Sequence, residues 1–184
     1  CASVAARKIA EAVPGAVYVH NHTGCGQSPS DAAATLEIMS GLIANGNVYG
    51  ALIVGLGCEA TRREMYLDAV AGKCAKPVYH IYIQEEGGVG AAVAKGAEIV
   101  SRLAAEARMC AREEIDVSEL VLGLECGGSD PTSGISANVV LGEVSDRLID
   151  MGATVFISET SEAIGAEKIL EARGRTPEIG RRLR

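Results

Sequence analysis

The sequence predicts a three-layer α/β fold: a mostly parallel sheet with helices on both faces, divided into two Rossmann-like subdomains. Three observations lead there. Short, continuous apolar runs alternate with longer stretches of helical periodicity. Those runs lack the polar alternation of a half-exposed strand, as expected when both faces of a sheet are covered. Aromatic residues make up 3% of the chain, with no Trp, while Gly numbers 22. The core must therefore be aliphatic, which suits helices packed closely on a buried parallel sheet.

Taken in order, apolar residues at helical spacing (Val4, Ala5, Ile9, Ala12, Val13) predict a helix over 2–13, stopped by Pro14-Gly15. The β-branched run 16–19 reads as a strand, and 20–30 as a loop rich in Gly, Asn, Ser and Pro. Ser30 or Asp31 caps a helix running to 44, closed by Asn45-Gly46. A strand at 48–54 leads into Gly55-Leu56-Gly57-Cys58-Glu59 and a helix over 60–71. A strand at 77–83 is followed by Gln84-Glu85-Glu86-Gly87-Gly88 and a long helix over 89–113. The pattern then restarts: strand 120–124, loop 125–137, helix 138–151, strand 153–157 and helix 162–172. The tail 173–184 holds five arginines and is assigned no element. The charged stretch 111–117 separates a first subdomain, 1–113, from a second, 114–184.

Composition narrows the function. A net charge of −7 argues against nucleic acid and against an anionic membrane surface, both of which need a basic face. No apolar run approaches the roughly 18 residues of a bilayer span, and no basic stretch followed by an apolar one marks a signal peptide. Six cysteines, none in a C-x-x-C pair, speak against a zinc ribbon. In an α/β enzyme of the cytoplasm they are expected as free thiols, with Cys74 and Cys110 buried as small apolar residues. No P-loop, dinucleotide fingerprint or G-x-S-x-G elbow is present.

Ligands of parallel sheets bind beyond the carboxyl ends of the strands. Each distinctive polar loop here follows a predicted strand, so the loops are expected along one edge. His20, His22 and Cys25 share one such loop, and imidazole and thiolate suit Fe, Mn or Zn while imidazole also serves as a base. Cys58-Glu59 and Glu125-Cys126 form mirrored pairs at Gly-rich strand ends, where a glutamate can ligate a metal, move a proton or cap the next helix. Gly127-Gly128-Ser129-Asp130 can wrap an anion with backbone N–H groups.

Longer motifs then converge. Gly123-Leu124-Glu125-Cys126-Gly127-Gly128-Ser129-Asp130, Ser133-Gly134-Ile135-Ser136-Ala137-Asn138, Ser158-Glu159-Thr160 and Gly165-Ala166-Glu167 follow in order, with Gly24-Cys25-Gly26 and Gly55-Leu56-Gly57-Cys58-Glu59 upstream. Together they resemble the altronate/galactarate dehydratase family, and sulfolactate sulfo-lyase is similar to the same family. The resemblance implies a hydro-lyase that takes water from a sugar acid to leave a 2-keto-3-deoxy acid, assisted by a divalent metal such as Fe(II) or Mn(II). It also implies a small N-terminal domain and a C-terminal extension beyond this stretch. Its partners would be a small-molecule sugar acid and either further copies of the chain or the remainder of the full-length enzyme.

Such a dehydration needs a base for the α-proton, stabilisation of the enediolate and an acid for the departing hydroxyl. His22, Glu59 and Glu125 are the candidate catalytic residues. Gly127, Gly128, Ser129 and Asp130 are candidates for substrate binding, and His20, Cys25, Cys58 and Cys126 for metal binding. Two alternatives stand beside this: an iron-sulfur cluster on Cys25, Cys58 and Cys126, and a non-catalytic module or subunit that binds an acidic ligand.

Overall fold

The computed structural model describes residues 1–21, 24–128 and 130–183. The chain divides into two compact units, Cys1–Ala111 and Arg112–Arg184.

Unit 1 begins with α1 (Ser3–Ala12) and continues through α2 (Pro29–Ala44), β1 (Ala51–Gly55), α3 (Arg63–Ala71), β2 (Val78–Tyr82) and α4 (Val89–Arg108). β1 and β2 pair in parallel, with Ala51 opposite Val78 and Gly55 opposite Tyr82. Two main-chain bonds carry the ladder past the strands, from Ile83 N–H to the Gly55 carbonyl and from Gln84 N–H to that of Leu56. The core is aliphatic: Ala5 and Ile9 of α1, Ile81 and Ile83 of the β2 region and Ala92 of α4 are buried together. Full burial of each isoleucine contributes about 1.5–3 kcal/mol. α1 packs along α4, and Gly96 lets them approach: a Cβ there would lie 2.3 Å from Cδ1 of Ile9. α2 starts at a Ser28 cap that accepts the Asp31 N–H, with Pro29 in its first turn. This is two residues before Ser30 and three before Asp31, the expected caps, because Pro29 needs no amide partner at that position. Its far end is capped by the Lys76 ammonium, which donates to the carbonyls of Ile43, Ala44 and Asn45.

Unit 2 comprises β3 (Val121–Leu124), α5 (Ala137–Asp150), β4 (Thr154–Ile157), α6 (Glu167–Arg173) and α7 (Pro177–Arg182), with short 3-10 turns at Val117–Glu119, Ser133–Ile135 and Thr160–Ala163. β3 and β4 again pair in parallel. Both strand pairs use one device. Gly55 lies opposite Tyr82 and Gly123 opposite Phe156, and in each case the aromatic ring of the second strand covers the glycine of the first. A Cβ would meet those rings at 2.8 Å and 2.6 Å.

Among the described residues the chain is thus α/β with two parallel strand pairs, each a two-stranded sheet. The expected strand at 16–19 is absent. Residues Ala16 to Val19 line a largely apolar cavity of about 500 Å³ together with Ala51 to Val54, and this gap keeps the segment from pairing with β1. The expected helix over 89–113 ends at Arg108, and that over 162–172 becomes a 3-10 turn followed by α6. The tail forms α7, capped by Thr176. The expected burial of Cys74 and Cys110 is also corrected: Cys74 is half-buried and Cys110 exposed, since Cys110 falls just beyond the end of α4. All six cysteines are free. Among the described residues, no helix is long and apolar enough to cross a membrane.

The close contact at Gly96 predicts that Gly96→Val destabilises unit 1 by about 1–3 kcal/mol through overpacking against Ile9 and Leu52. Gly41→Ala, which meets nothing within 4 Å in α2, is expected to be neutral or stabilising by up to about 1 kcal/mol. Urea denaturation midpoints of the two variants check the pair.

Candidate active site

Parallel pairing places the carboxyl ends of β1 and β2 side by side, and a cavity of about 410 Å³ opens there in unit 1. His20, Asn21, Cys25, Cys58, Glu59 and His80 line it, with Thr61 and Tyr66. Four of the residues singled out from the sequence, His20, Cys25, Cys58 and Glu59, thus come together. His22 lies outside the described residues.

Each polar side chain of the cavity has a local reason for its position. Glu59 follows the Gly55–Cys58 turn and folds back on it, its carboxylate accepting the Leu56 N–H and, at 2.8 Å, the Gly57 N–H. Burial works against the ionised form, but these amide donors outweigh it and hold the carboxyl below its ordinary range. The Cys58 thiol is pushed up by local desolvation and then by the neighbouring Cys25, with which it shares a hydrogen bond, and by Glu59. The His20 ring stacks on Tyr18, centroids 5.8 Å apart. The Tyr66 phenol is raised by burial and by the Glu59 charge.

His80 was not singled out by sequence reasoning. The available signal was a histidine inside the apolar strand Val78–Tyr82, a position where an aliphatic side chain is the norm. Burial and then the adjacent Arg63 guanidinium push its imidazole below the ordinary range, against the opposing charges of Glu59, Glu85 and Glu64. Arg63 itself ion-pairs with Glu85 at 2.5 Å and lies over the Tyr82 ring, 4.5 Å from its centroid.

Unit 2 carries a separate cluster. Cys126 follows β3 and Glu159 follows β4, so parallel pairing again sets them side by side. The Cys126 N–H donates to the Glu159 carboxylate at 3.0 Å, and Ser158 donates its hydroxyl to the Leu124 carbonyl at 2.8 Å. Donor atoms of Cys126, Glu159 and Glu162 lie within 4.8 Å of one another, a set of one thiol and two carboxylates that suits a divalent transition metal. Glu159 is held at φ 60°, a left-handed conformation costly for a residue with a Cβ. Glu125, Gly127, Gly128 and Asp130 are exposed in the same loop, and Ser129 lies outside the described residues. Asp130 accepts both the N–H (2.8 Å) and the hydroxyl (2.5 Å) of Thr132, which hold its carboxyl below the usual range. That carboxylate shapes a turn.

Comparison with known proteins bears on this arrangement. Residues 1–108 match the family model of the D-galactarate dehydratase/altronate hydrolase second domain, and residues 117–184 match that of the D-galactarate/altronate dehydratase C-terminal region. The chain belongs to the galactarate/altronate dehydratase family. The altronate dehydratase of Bacillus subtilis is 36% identical over 156 residues, covering 85% of this chain and 31% of the relative. The galactarate dehydratase (L-threo-forming) of Escherichia coli is 37% identical over 137 residues, covering 72% and 26%. The (2R)-sulfolactate sulfo-lyase subunit beta of Chromohalobacter salexigens is 32% identical over 174 residues, covering 93% and 43%. The chain thus spans about a third of the length of the curated dehydratases it matches.

The depressed His80 imidazole sets a pH dependence. Unfolded, it titrates near pH ~6.5. As pH falls through that value the unfolded chain binds a proton that folded His80 resists, so stability drops. Unit 1 is therefore expected to be less stable at about pH 5.5 than at about pH 7.5, and His80→Gln is expected to reduce that difference. Urea midpoints of parent and variant at the two pH values measure it, and an undiminished difference in the variant contradicts the assignment.

Proposed function

We propose that the chain forms part of a cytoplasmic dehydratase that removes water from a sugar acid, altronate or galactarate, to give a 2-keto-3-deoxy acid. The observation that carries this reading is the unit 1 cavity, where His20, Cys25, Cys58, Glu59 and His80 meet at the carboxyl ends of paired parallel strands in a member of a dehydratase family. Its volume of about 410 Å³ suits a six-carbon acid, within the ordinary range of small-molecule sites.

The chain's own residues supply acid–base groups for the reaction. A histidine of the His20–His22 loop takes the proton next to the substrate carboxylate. Glu59, held in its ionised form by backbone amides, braces the Gly55–Cys58 turn at the cavity wall. In unit 2, Glu125, exposed at the end of β3, is the candidate proton carrier, and Gly127, Gly128 and Asp130 are the candidates for holding a carboxylate. A divalent ion, Fe(II) or Mn(II), fits the donor chemistry of Cys126, Glu159 and Glu162 within unit 2, and unit 1 has its own ligand-type groups in His20, Cys25 and Cys58; a bound ion would supply polarisation of the leaving hydroxyl.

The longer polypeptide found in the relatives, or further copies of the chain, would extend the strand pairs into the three-layer sheets expected from sequence. The exposed Val139, Val140, Phe156 and Ile157 of unit 2 are the apolar surface that such an extension would cover. A sulfo-lyase reading is favoured by one fact, that the sulfolactate sulfo-lyase subunit matches 93% of this chain.

Keto-acid formation from altronate, galactarate and sulfolactate by the full-length protein, with Fe(II) or Mn(II) added, discriminates these readings. Product from neither sugar acid overturns the dehydratase proposal, and sulfite release from sulfolactate favours the sulfo-lyase. Glu125→Gln in the full-length protein is expected to lower turnover on the order of a hundredfold while leaving the melting temperature within a few degrees, since an exposed side chain costs little stability when changed. Near-normal turnover with a lowered melting temperature makes Glu125 structural.

A further inference from the structure

The cavity wall contributed by β2 contains a histidine whose proton can be placed. The Arg63 Nε–H donates to Nδ1 of His80 at 3.4 Å. Arginine has no acceptor and stays protonated, so Nδ1 must carry the lone pair and the single ring proton must sit on Nε2. The guanidinium is not free to turn away. Its NH2 group is ion-paired to Glu85, its plane covers Tyr82, and the Arg63 backbone N–H donates to the Tyr82 hydroxyl at 2.8 Å. The Tyr82 ring in turn meets the His80 ring edge to face, centroids 4.4 Å apart. His80 lines the cavity and Arg63 does not. With Nδ1 engaged by Arg63, Nε2–H is the ring donor that His80 has to offer a ligand in the cavity.

We propose that His80 is a hydrogen-bond donor to the bound acid in the unit 1 cavity, kept in its Nε2–H tautomer by the positioning residue Arg63. The inference rests on the reading of this cavity as a sugar-acid site, and it adds which group meets the ligand's oxygens from the β2 side. A neutral imidazole donor is well matched to a carboxylate or hydroxyl oxygen beside Glu59. It supplies a proton for a hydrogen bond, and its burial and the Arg63 charge keep it from taking up a second proton. Arg63, satisfied by Glu85, shapes the donor without reaching the ligand itself.

The experiment is nitrogen-15 NMR of the histidine rings in the 184-residue chain labelled at histidine. His80→Gln assigns the His80 signals by their loss. The expected result at neutral pH is an unprotonated Nδ1 and a protonated Nε2 for His80, and loss of that preference in both Arg63→Leu and Arg63→Gln. Galactarate is then expected to shift the His80 Nε2–H signal, and His80→Gln to weaken galactarate binding about tenfold or more, the weight of one hydrogen bond to a charged group. A protonated Nδ1 in the parent chain, which needs no variant to observe, overturns the proposal, as does an unchanged tautomer in a folded Arg63 variant. Galactarate shifts at His20 with none at His80 Nε2 overturn the donor role while leaving the cavity reading intact. No galactarate-induced shift at any histidine, with no binding by calorimetry, overturns both.

Discussion

Parallel pairing of short strands is the constraint on which each unit depends. Two parallel strands cannot be joined by a tight hairpin, so the chain must cross over through a helix, α3 between β1 and β2 and α5 between β3 and β4. The crossover returns the second strand in the same direction, which brings both carboxyl ends to one edge. The loops leaving that edge then carry the chemistry. In unit 1 they hold Cys58 and Glu59 above the His80 strand, and in unit 2 they set Cys126 against Glu159. The glycine beneath an aromatic ring, Gly55 under Tyr82 and Gly123 under Phe156, lets each pair close at its end without a side chain forcing the loops apart.

Both clusters hold a carboxylate by backbone amides. Glu59 takes the Leu56 and Gly57 N–H groups, and Glu159 takes that of Cys126. In a chain of net charge −7 this matters, because amide donors fix an anion in place without placing a lysine or arginine at the site. The Arg63 guanidinium is already engaged by Glu85 and Tyr82, so its influence on the cavity runs through His80. The Cys25–Cys58 pair belongs to the same economy of charge. The Cys58 thiol, raised by desolvation and by its neighbours Cys25 and Glu59, favours its neutral form beside that fixed carboxylate.

Much of this was legible in the residues. The periodicity of α1, α2, α4 and α5 and the apolar runs of β1 to β4 are local properties, written within a few neighbours. The loops at Cys58 and Cys126 announced themselves by Gly, Cys and Glu at the ends of apolar runs. The segment 16–19 shows the limit of such reasoning. Its β-branched residues suit a strand, yet a strand exists only when a neighbour's backbone lies within hydrogen-bonding distance, and the cavity beside β1 removes that neighbour.

The sequence by itself determined the helical stretches of α1 to α5, the apolar runs of β1 to β4 and the polar residues at the strand ends, because these follow from side-chain period and turn chemistry. Only the tertiary structure decided which of those residues meet. Glu159 joins Cys126 across 33 positions, and Arg63 meets His80 across 17. Both encounters depend on strand register, since a shift of one residue would turn every side chain of a strand to the opposite face. Register is settled by packing, by Tyr82 over Gly55 and Phe156 over Gly123, between residues that carry no mark of each other along the chain.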